Sequence, residues 1–173
     1  GGLTAEWEAE NAEWIAKRQT FYERLPQMVL LAFLVEKARR ASRRSAEAAV
    51  LVTALMKYTF LLQMEGNGWR RLYNFVPYHY GPFAKELYTD LGKLQEEGLV
   101  NVDNDTDEEK TRITLSDPDR AKETLSELPD DLKEDIATVL DAYGDLDHNT
   151  LLKRVYEKYP AYAKKSRVRR GKR

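Results

Sequence analysis

Few side chains in this chain could carry out catalysis. The 173 residues include no cysteine and only two histidines, His79 and His148. Histidine is the usual acid–base group near neutral pH, but these two lack the His-Glu-x-x-His spacing of a zinc site. The absence of cysteine excludes thiol catalysis, disulfides and zinc–thiolate ligation. The sequence therefore predicts a protein that is not an enzyme, with no catalytic residue, no metal site and no cofactor.

His79 lies in the segment FVPYHYGPF, residues 75–83, which is rich in aromatic residues and proline. Gly81 permits a sharp turn, and Pro82 suits the first position of a helix. Val76 is followed by a proline, which favours an extended backbone. We therefore expect an extended run that ends in a structural corner before a helix.

One side of this corner is predicted to bind a protein partner. In an extended segment, Tyr78 and Tyr80 share one side and His79 faces the other. Aromatic and arginine side chains dominate the hot spots of protein–protein interfaces. Basic residues flank the corner on both sides in the sequence. The candidate partner-binding residues are therefore Tyr78, His79, Tyr80, Arg70, Arg71 and Lys85.

The first part of the chain carries aromatic residues at a spacing of seven. Trp7, Trp14 and Phe21 lie on one face of a helix predicted over residues 4–24. A contiguous aromatic stripe does not stay exposed as one patch. We interpret residues 1–26 as a helical arm that packs on the domain's own core or on a second subunit. A homodimer formed through this helix is therefore one open interpretation.

The rest of the chain is predicted to form helices around one β-hairpin. Pro26 is expected to separate the arm helix from a second helix over residues 27–40. Gly98 and the alternating residues after it, around an acidic turn, indicate a helix stop followed by a hairpin. A helix followed by a hairpin is the layout of a winged helix, in which the hairpin is the wing. Further helices are predicted from a cap at Ser45 to Gly66 or Gly68, over 83–97, after Pro118, over 128–142 and over 149–159. The predicted fold class is mainly α with a small β-hairpin wing: a helical arm at 1–26, a winged-helix-like domain at 27–163 and a basic tail at 164–173.

The segment YNFVPYHYGPFAKELYTDLGKLQEEGLV, residues 73–100, resembles the signature of the YwgA-like proteins. Its Tyr-Gly-Pro element before a helix is also similar to that of the SocA-like antitoxins of the Panacea type. A looser similarity extends over residues 45–166. Ala84 stands where the family pattern has serine, which removes a helix cap. The resemblance implies a winged-helix protein-interaction or regulatory module, in a toxin–antitoxin or phage-defence setting.

Charge is divided unevenly along the chain. The net charge is −1, and residues 164–173 hold seven basic residues and no acidic one, so taking these seven charges from the total leaves −8 for residues 1–163. The predicted recognition helix and wing are acidic, and acidic surfaces repel DNA phosphates. Nucleic acid could still bind the basic linker and tail, so a nucleic-acid-binding regulator is the alternative function. Its candidate residues are Arg39, Arg40, Arg43, Arg44, Lys164, Lys165, Arg167, Arg169 and Arg170.

The apolar runs of the sequence are short. The longest, residues 28–35, is far below the roughly 20 apolar residues that a transmembrane helix needs. The first residues also lack the charged-then-apolar order of a signal peptide. The sequence therefore predicts a cytoplasmic protein with no membrane partner.

Overall fold

The computed structural model describes residues 2–43, 49–68, 70–107 and 110–166. Within these ranges the protein is mainly helical and carries a small antiparallel sheet, which confirms the predicted fold class. The helices are α1 (Gly2–Glu10), α2 (Ala12–Arg43), α3 (Val52–Glu65), α4 (Lys85–Glu96), α5 (Pro118–Thr124), α6 (Asp130–Tyr143) and α7 (His148–Lys158), followed by a 3₁₀ turn at Pro160–Ala163. The strands are β1 (Val50–Leu51), β2 (Val76–Tyr78), β3 (Gly81–Phe83), β4 (Val100–Asp103) and β5 (Arg112–Leu115).

The longest element, α2, contains Pro26 in its interior, so the predicted helix break at this proline is wrong. A proline inside a helix removes one backbone hydrogen bond and costs about 3 kcal/mol. Burial offsets this cost, because Leu25 and residues 28–34 pack into the core on both sides of the proline. The helix is interrupted instead at Asn11, between α1 and α2, although the backbone N–H of Asn11 still donates to the carbonyl of Trp7 at 3.0 Å. The arm and the first core helix therefore follow one another without a loop.

A short strand precedes α3 where helix was predicted. Strand β1 pairs antiparallel with β5, and this pairing occupies backbone groups that the predicted helix would have used. The helix begins at Val52, after Leu51, which makes no side-chain capping bond. The predicted helix start is therefore wrong, and the predicted cap, Ser45, lies outside the described residues. Of the two predicted ends, Gly66 and Gly68, the structure has the first.

The predicted wing is present. Strands β4 and β5 pair antiparallel, with Val100 opposite Leu115 and Asp103 opposite Arg112. The sheet order is β1–β5–β4, so β5 lies in the middle. Gly98 has a φ of 77°, which lets the chain leave α4 and enter β4. Apart from the hairpin β2–β3, which lies between α3 and α4, the order α2, β1, α3, α4 and then the hairpin β4–β5 is that of a winged helix.

Helix α4 starts later than predicted. Its first residue is Lys85, and Pro82 lies in β3 opposite Pro77, so the predicted place of Pro82 at the helix start is wrong. A short edge strand tolerates proline because no partner strand needs its missing N–H. Leu87, Leu91 and Leu94, at the i, i+4 and i+7 spacing of one helix face, are buried.

The C-terminal helices are joined to α3 through one carboxylate. Glu65, the last residue of α3, accepts hydrogen bonds from the hydroxyl of Tyr143 at 2.8 Å and from that of Tyr159 at 2.6 Å. The Nζ of Lys158 lies 3.3 Å from the same carboxylate. Burial raises the pKa of Tyr159, so its hydroxyl keeps the proton that it donates. Glu65 therefore holds α6 and the end of α7 against the core helix.

The core lies between α2, α3 and α4, and α6 and α7 pack on α3. Phe33 and Phe60 are completely buried in it. Phe60 meets Phe75 edge-to-face at 5.3 Å between ring centroids and meets Tyr159 at 5.1 Å. The residues before β2 and after α7 thus share one aromatic cluster with α3. In the part of the chain that the structure describes, no helix combines the length and the apolar character needed to cross a bilayer.

Candidate partner-binding surface

The predicted corner is a two-stranded hairpin. Strands β2 and β3 pair antiparallel, with Tyr78 opposite Gly81. Gly81 has a φ of 99°, a value that favours glycine. A Cβ atom at Gly81 would lie 3.3 Å from Cδ1 of Leu152 and 3.5 Å from Cε of Lys57. The turn is therefore held closely between α3 and α7.

Four rings follow one another along the hairpin and α4. The ring of His79 stacks on Tyr78, with 4.1 Å between centroids and 18° between planes. Tyr78 lies 4.4 Å from Phe83, and Phe83 lies 5.9 Å from Tyr88. All four are half-buried, and Val76, which pairs with Phe83, is 50% exposed. These five residues are called the hairpin surface below.

The predicted division of the turn residues between two sides is wrong. Strand β2 ends at Tyr78, so strand alternation stops there, and His79 folds back onto the Tyr78 ring. The ring of Tyr80 lies near both histidines, with 6.5 Å between its centroid and that of His79 and 6.2 Å to that of His148. The fold thus brings together two histidines that are distant in the sequence. Among the described residues, no group of three or more histidine, aspartate and glutamate side chains is placed to hold a metal ion.

A buried lysine that sequence reasoning missed lies beneath the hairpin. Lys57, in the middle of α3, is 1% exposed, and its Nζ donates to the backbone carbonyl of Thr53 at 3.1 Å. A cavity of about 20 Å³, bordered by Thr53, Met56 and the hairpin, lies nearby. It has room for about one water molecule, far less than a metabolite needs. The sequence did contain a signal, because Lys57 is the only charged residue between residues 49 and 62.

The segment that leads into β2 is clamped by Gln63. Its Oε1 accepts hydrogen bonds from the N–H groups of Leu72 at 2.7 Å and Tyr73 at 3.0 Å. The hydroxyl of Tyr73 donates to Asp90 of α4 at 2.5 Å. Burial, and then the bond to Asp90, raises the pKa of Tyr73, so this hydroxyl remains a donor. The hairpin is therefore fixed to both α3 and α4.

Only part of the predicted basic rim lies at this surface. Arg70 forms an ion pair with Asp131 of α6, with 3.1 Å between Nη2 and Oδ2. Arg71 donates to the side chain of Asn74. Lys85 is exposed and follows β3 by two residues. Of the three predicted basic residues, Lys85 and Arg71 thus lie close in sequence to the hairpin, while Arg70 is engaged with α6.

Two of the arginines predicted to contact nucleic acid are engaged by carboxylates. Arg39 donates to Glu36 at 2.9 Å, and Arg40 donates to Glu36 at 3.0 Å and pairs with Asp141 at 2.8 Å. The hydrogen bond from Arg39 is the main cause that lowers the pKa of Glu36. Lys164 and Lys165 are exposed. The side chain of Arg43 and all of Arg44, Arg167, Arg169 and Arg170 lie outside the described residues.

The outer face of α4 is acidic, as its sequence predicts. The charged residues that α4 and its C-cap leave exposed or half-exposed are Lys85, Glu86, Asp90, Lys93, Glu96 and Glu97. Arg24 pairs with Glu97, which leaves three carboxylates against two ammonium groups, and this excess disfavours the approach of a phosphate backbone. Asp103 and Asp105 extend the acidic character into the exposed wing.

The fold and this surface define a class: a mainly helical protein with a small antiparallel sheet and an acidic outer face on α4. In comparisons with protein-family models, curated proteins and solved structures, nothing matches the chain. The resemblance of residues 73–100 to the YwgA-like signature therefore stays a prediction from the sequence.

Proposed function

We propose that this protein is a non-catalytic, protein-binding module that uses the hairpin surface to recognise a protein partner in the cytoplasm. The observation that carries the proposal is the row of half-exposed rings that runs from His79 to Tyr88, with Val76 exposed beside it. Rigid aromatic side chains supply a large contact area at a low entropic cost. Gln63 and the packing around Gly81 already fix the hairpin, so its backbone would lose little conformational freedom when a partner binds.

The proposed setting rests on the resemblance. Residues 73–100, which resemble the YwgA-like and SocA-like signatures, include the hairpin surface and α4. We therefore place the module in a regulatory role of the toxin–antitoxin or phage-defence kind. In this role the winged helix is a scaffold for protein contacts, and the acidic face of α4 supports that view over DNA reading.

The test removes the outermost groups of the surface without touching the turn glycine. The double variant Val76→Ser with His79→Ala should reduce capture of the partner from extracts of the source cell by about tenfold or more, as loss of a hot spot does. Its melting temperature should stay within a few degrees of the parent chain. Met64→Ser is the matched control, because Met64 is similarly exposed at 47% but lies near the end of α3.

The outcomes separate three cases. Loss of capture with retained stability supports the proposal. Equal loss of capture and stability would show that the rings serve packing alone. Capture of nucleic acid that falls steeply with salt and ignores the double variant would favour the alternative, a nucleic-acid-binding regulator using the basic linker and tail.

A further inference from the structure

Residues 4–22 of the predicted arm, called the arm from here on, form a helical stretch whose two tryptophans no other described part of the chain buries. Between residues 4 and 20 every side chain is exposed except Asn11 and Ile15, which are half-buried. Trp7, Trp14 and Tyr22 are 51%, 52% and 55% exposed. Most helical stability in proteins comes from the packing of an apolar face, and an exposed aromatic patch marks an interface.

Four exposed side chains of the arm, Trp7, Trp14, Arg18 and Tyr22, form one continuous strip. Trp7 meets Trp14 edge-to-face at 6.1 Å between centroids. The guanidinium of Arg18 lies 5.4 Å from the centre of the Trp14 ring and 5.5 Å from that of Tyr22. Because these four side chains already contact one another, they lose less freedom when a partner covers them.

The charges along the arm change sign at its middle. Residues 4–13 hold four glutamates and no basic residue, whereas residues 14–22 hold Lys17 and Arg18 and no acidic residue. Glu10 and Lys17 are seven residues apart, so they lie on the same side of the strip, one before Trp14 and one after it.

We propose that the arm binds the arm of a second copy of this chain, in antiparallel orientation and centred near Trp14. A two-fold pair uses the same patch on both copies. In the antiparallel orientation Glu10 of each copy lies opposite Lys17 of the other, so the attraction occurs twice. In a parallel pair in register, each of these charges would face its own like, which is destabilising. Charge complementarity therefore selects both the partner and the orientation.

The area of the aromatic strip limits the expected affinity of the dimer. The arm is about 29 Å long at 1.5 Å per residue. Stable interfaces bury about 800 Å² on each partner, and one helix face of this length is at the lower end. The dimer should therefore be reversible and depend on concentration. This inference is independent of the proposed partner site, since no residue of the hairpin surface takes part in it.

The first test is the oligomeric state of the full chain by sedimentation equilibrium over a wide range of protein concentration. We expect a monomer–dimer equilibrium that Trp7→Ser with Trp14→Ser shifts to monomer. The melting temperature of the domain should not fall, because neither tryptophan packs on it. Met64→Ser should still dimerise. A chain that is monomeric at every concentration, or a dimer that survives the tryptophan substitutions, would overturn the proposal while leaving the hairpin surface untouched.

The second test concerns orientation. Glu10→Lys or Lys17→Glu alone should weaken the dimer roughly threefold to tenfold, as expected for exposed ion pairs that change to repulsion, and the two together should restore it. Glu13→Gln controls for the ion pair of 3.2 Å between Lys17 and Glu13 within the helix, which Lys17→Glu also removes. In a parallel pair the single changes would have no effect, and that result would overturn the orientation.

The third test uses the absence of cysteine from the chain, which makes introduced thiols unambiguous probes. Asn11 and Arg18 are also seven apart, and the antiparallel pair brings Asn11 of one copy near Arg18 of the other. Asn11→Cys mixed with Arg18→Cys should cross-link under mild oxidation more readily than either variant alone. Self-linking of Asn11→Cys alone would overturn the arrangement. So would preferential linking of an arm cysteine to Lys122→Cys, at the groove between α2, α5 and α6.

Discussion

Gly81 is the residue at which one added methyl group disturbs the hairpin most. Its φ of 99° is costly for any residue that has a Cβ atom, and that atom would meet Leu152 at 3.3 Å. We expect Gly81→Ala to lower the free energy of unfolding by about 1–3 kcal/mol, the usual cost of such a backbone conformation. Urea unfolding followed by circular dichroism measures the change.

Gly92 provides the matched control for this substitution. It lies inside α4, and apart from the backbone around it no described atom would lie within 4 Å of its added Cβ. Gly92→Ala should therefore raise the free energy of unfolding by about 0.5–1 kcal/mol, since alanine is the better helix former. If the Gly81 and Gly92 variants were equally stable, the strain assigned to the hairpin turn would be absent.

Glu97 gives stability a dependence on pH. Its carboxylate accepts two hydrogen bonds from Arg24, at 2.9 and 2.6 Å, and this lowers its pKa below the ordinary 4.5. A carboxyl with a lowered folded-state pKa stabilises the fold fully above its unfolded pKa, and the contribution is lost as pH falls through the folded value. Both groups are partly exposed, so the contribution is about 1 kcal/mol or less.

The corresponding variant is Glu97→Gln. Its melting temperature should be a few degrees lower at neutral pH, and the difference from the parent chain should shrink as the pH falls below about 4.5. Glu96→Gln, an exposed neighbour, should differ little at any pH. A constant difference between the Glu97 variant and the parent down to acid pH would show that the ion pair does not titrate with the fold.

Among the elements, α2 joins the exposed arm to the core, and its two parts differ in what they contribute. A chain that starts at Phe21 keeps Leu25, which is 5% exposed, and the ion pair of Arg24. A chain that starts at Gln27 loses both. We expect the first to melt within a few degrees of the full chain and the second to lose about 2–4 kcal/mol of unfolding free energy, close to the cost of deleting a buried leucine. If both truncated chains unfolded like the full one, the helix before Pro26 would not support the domain.

Helices and strands whose apolar residues recur at a regular spacing were predictable from the sequence. Strands that form only by pairing with a segment distant in the sequence were not. The leucines of α4 and the alternation of β4 and β5 carry their own signal. The predicted helix break at Pro26 was wrong because it relied on the local preference of proline alone. The burial of the residues on both sides of Pro26 keeps the helix continuous. Strand β1 has two residues and exists only through its pairing with β5. The β2–β3 pairing was hidden because Pro77 and Pro82, which lie opposite each other, are poor strand formers.

The candidate site was predictable in composition but not in geometry. The aromatic residues of 75–83 stand out in the sequence. Their arrangement depends on contacts through space: the stacking of His79 on Tyr78, the approach of His148 to Tyr80 and the burial of Lys57 under Gly81. Such contacts join segments that no local pattern relates.

At the scale of the whole molecule, the uneven distribution of charge predicts that any affinity for nucleic acid depends on the basic tail, residues 164–173. Truncation after Ala163 removes seven positive charges, so any affinity for duplex DNA should fall strongly, and the remainder should depend less on salt. Fluorescence anisotropy at low and high salt measures both. Arg39→Ala with Arg40→Ala is the comparison, and its effect should be smaller because both arginines are engaged by carboxylates. Unchanged binding after the truncation would place the contact elsewhere.

Because α2 runs without a break from the arm into the core, the distance between the centre of the arm and the domain is fixed. Trp14 and Arg24 belong to one helix, so the start of the domain lies about 15 Å along the axis from the centre of the arm. Two chains paired about that centre would hold their domains about 30 Å apart along the axis, with no hinge between them. Such a dimer would present its two partner-binding surfaces at a fixed separation. A partner that carries two sites at the matching interval would gain avidity from the second contact, and a partner with another interval would not.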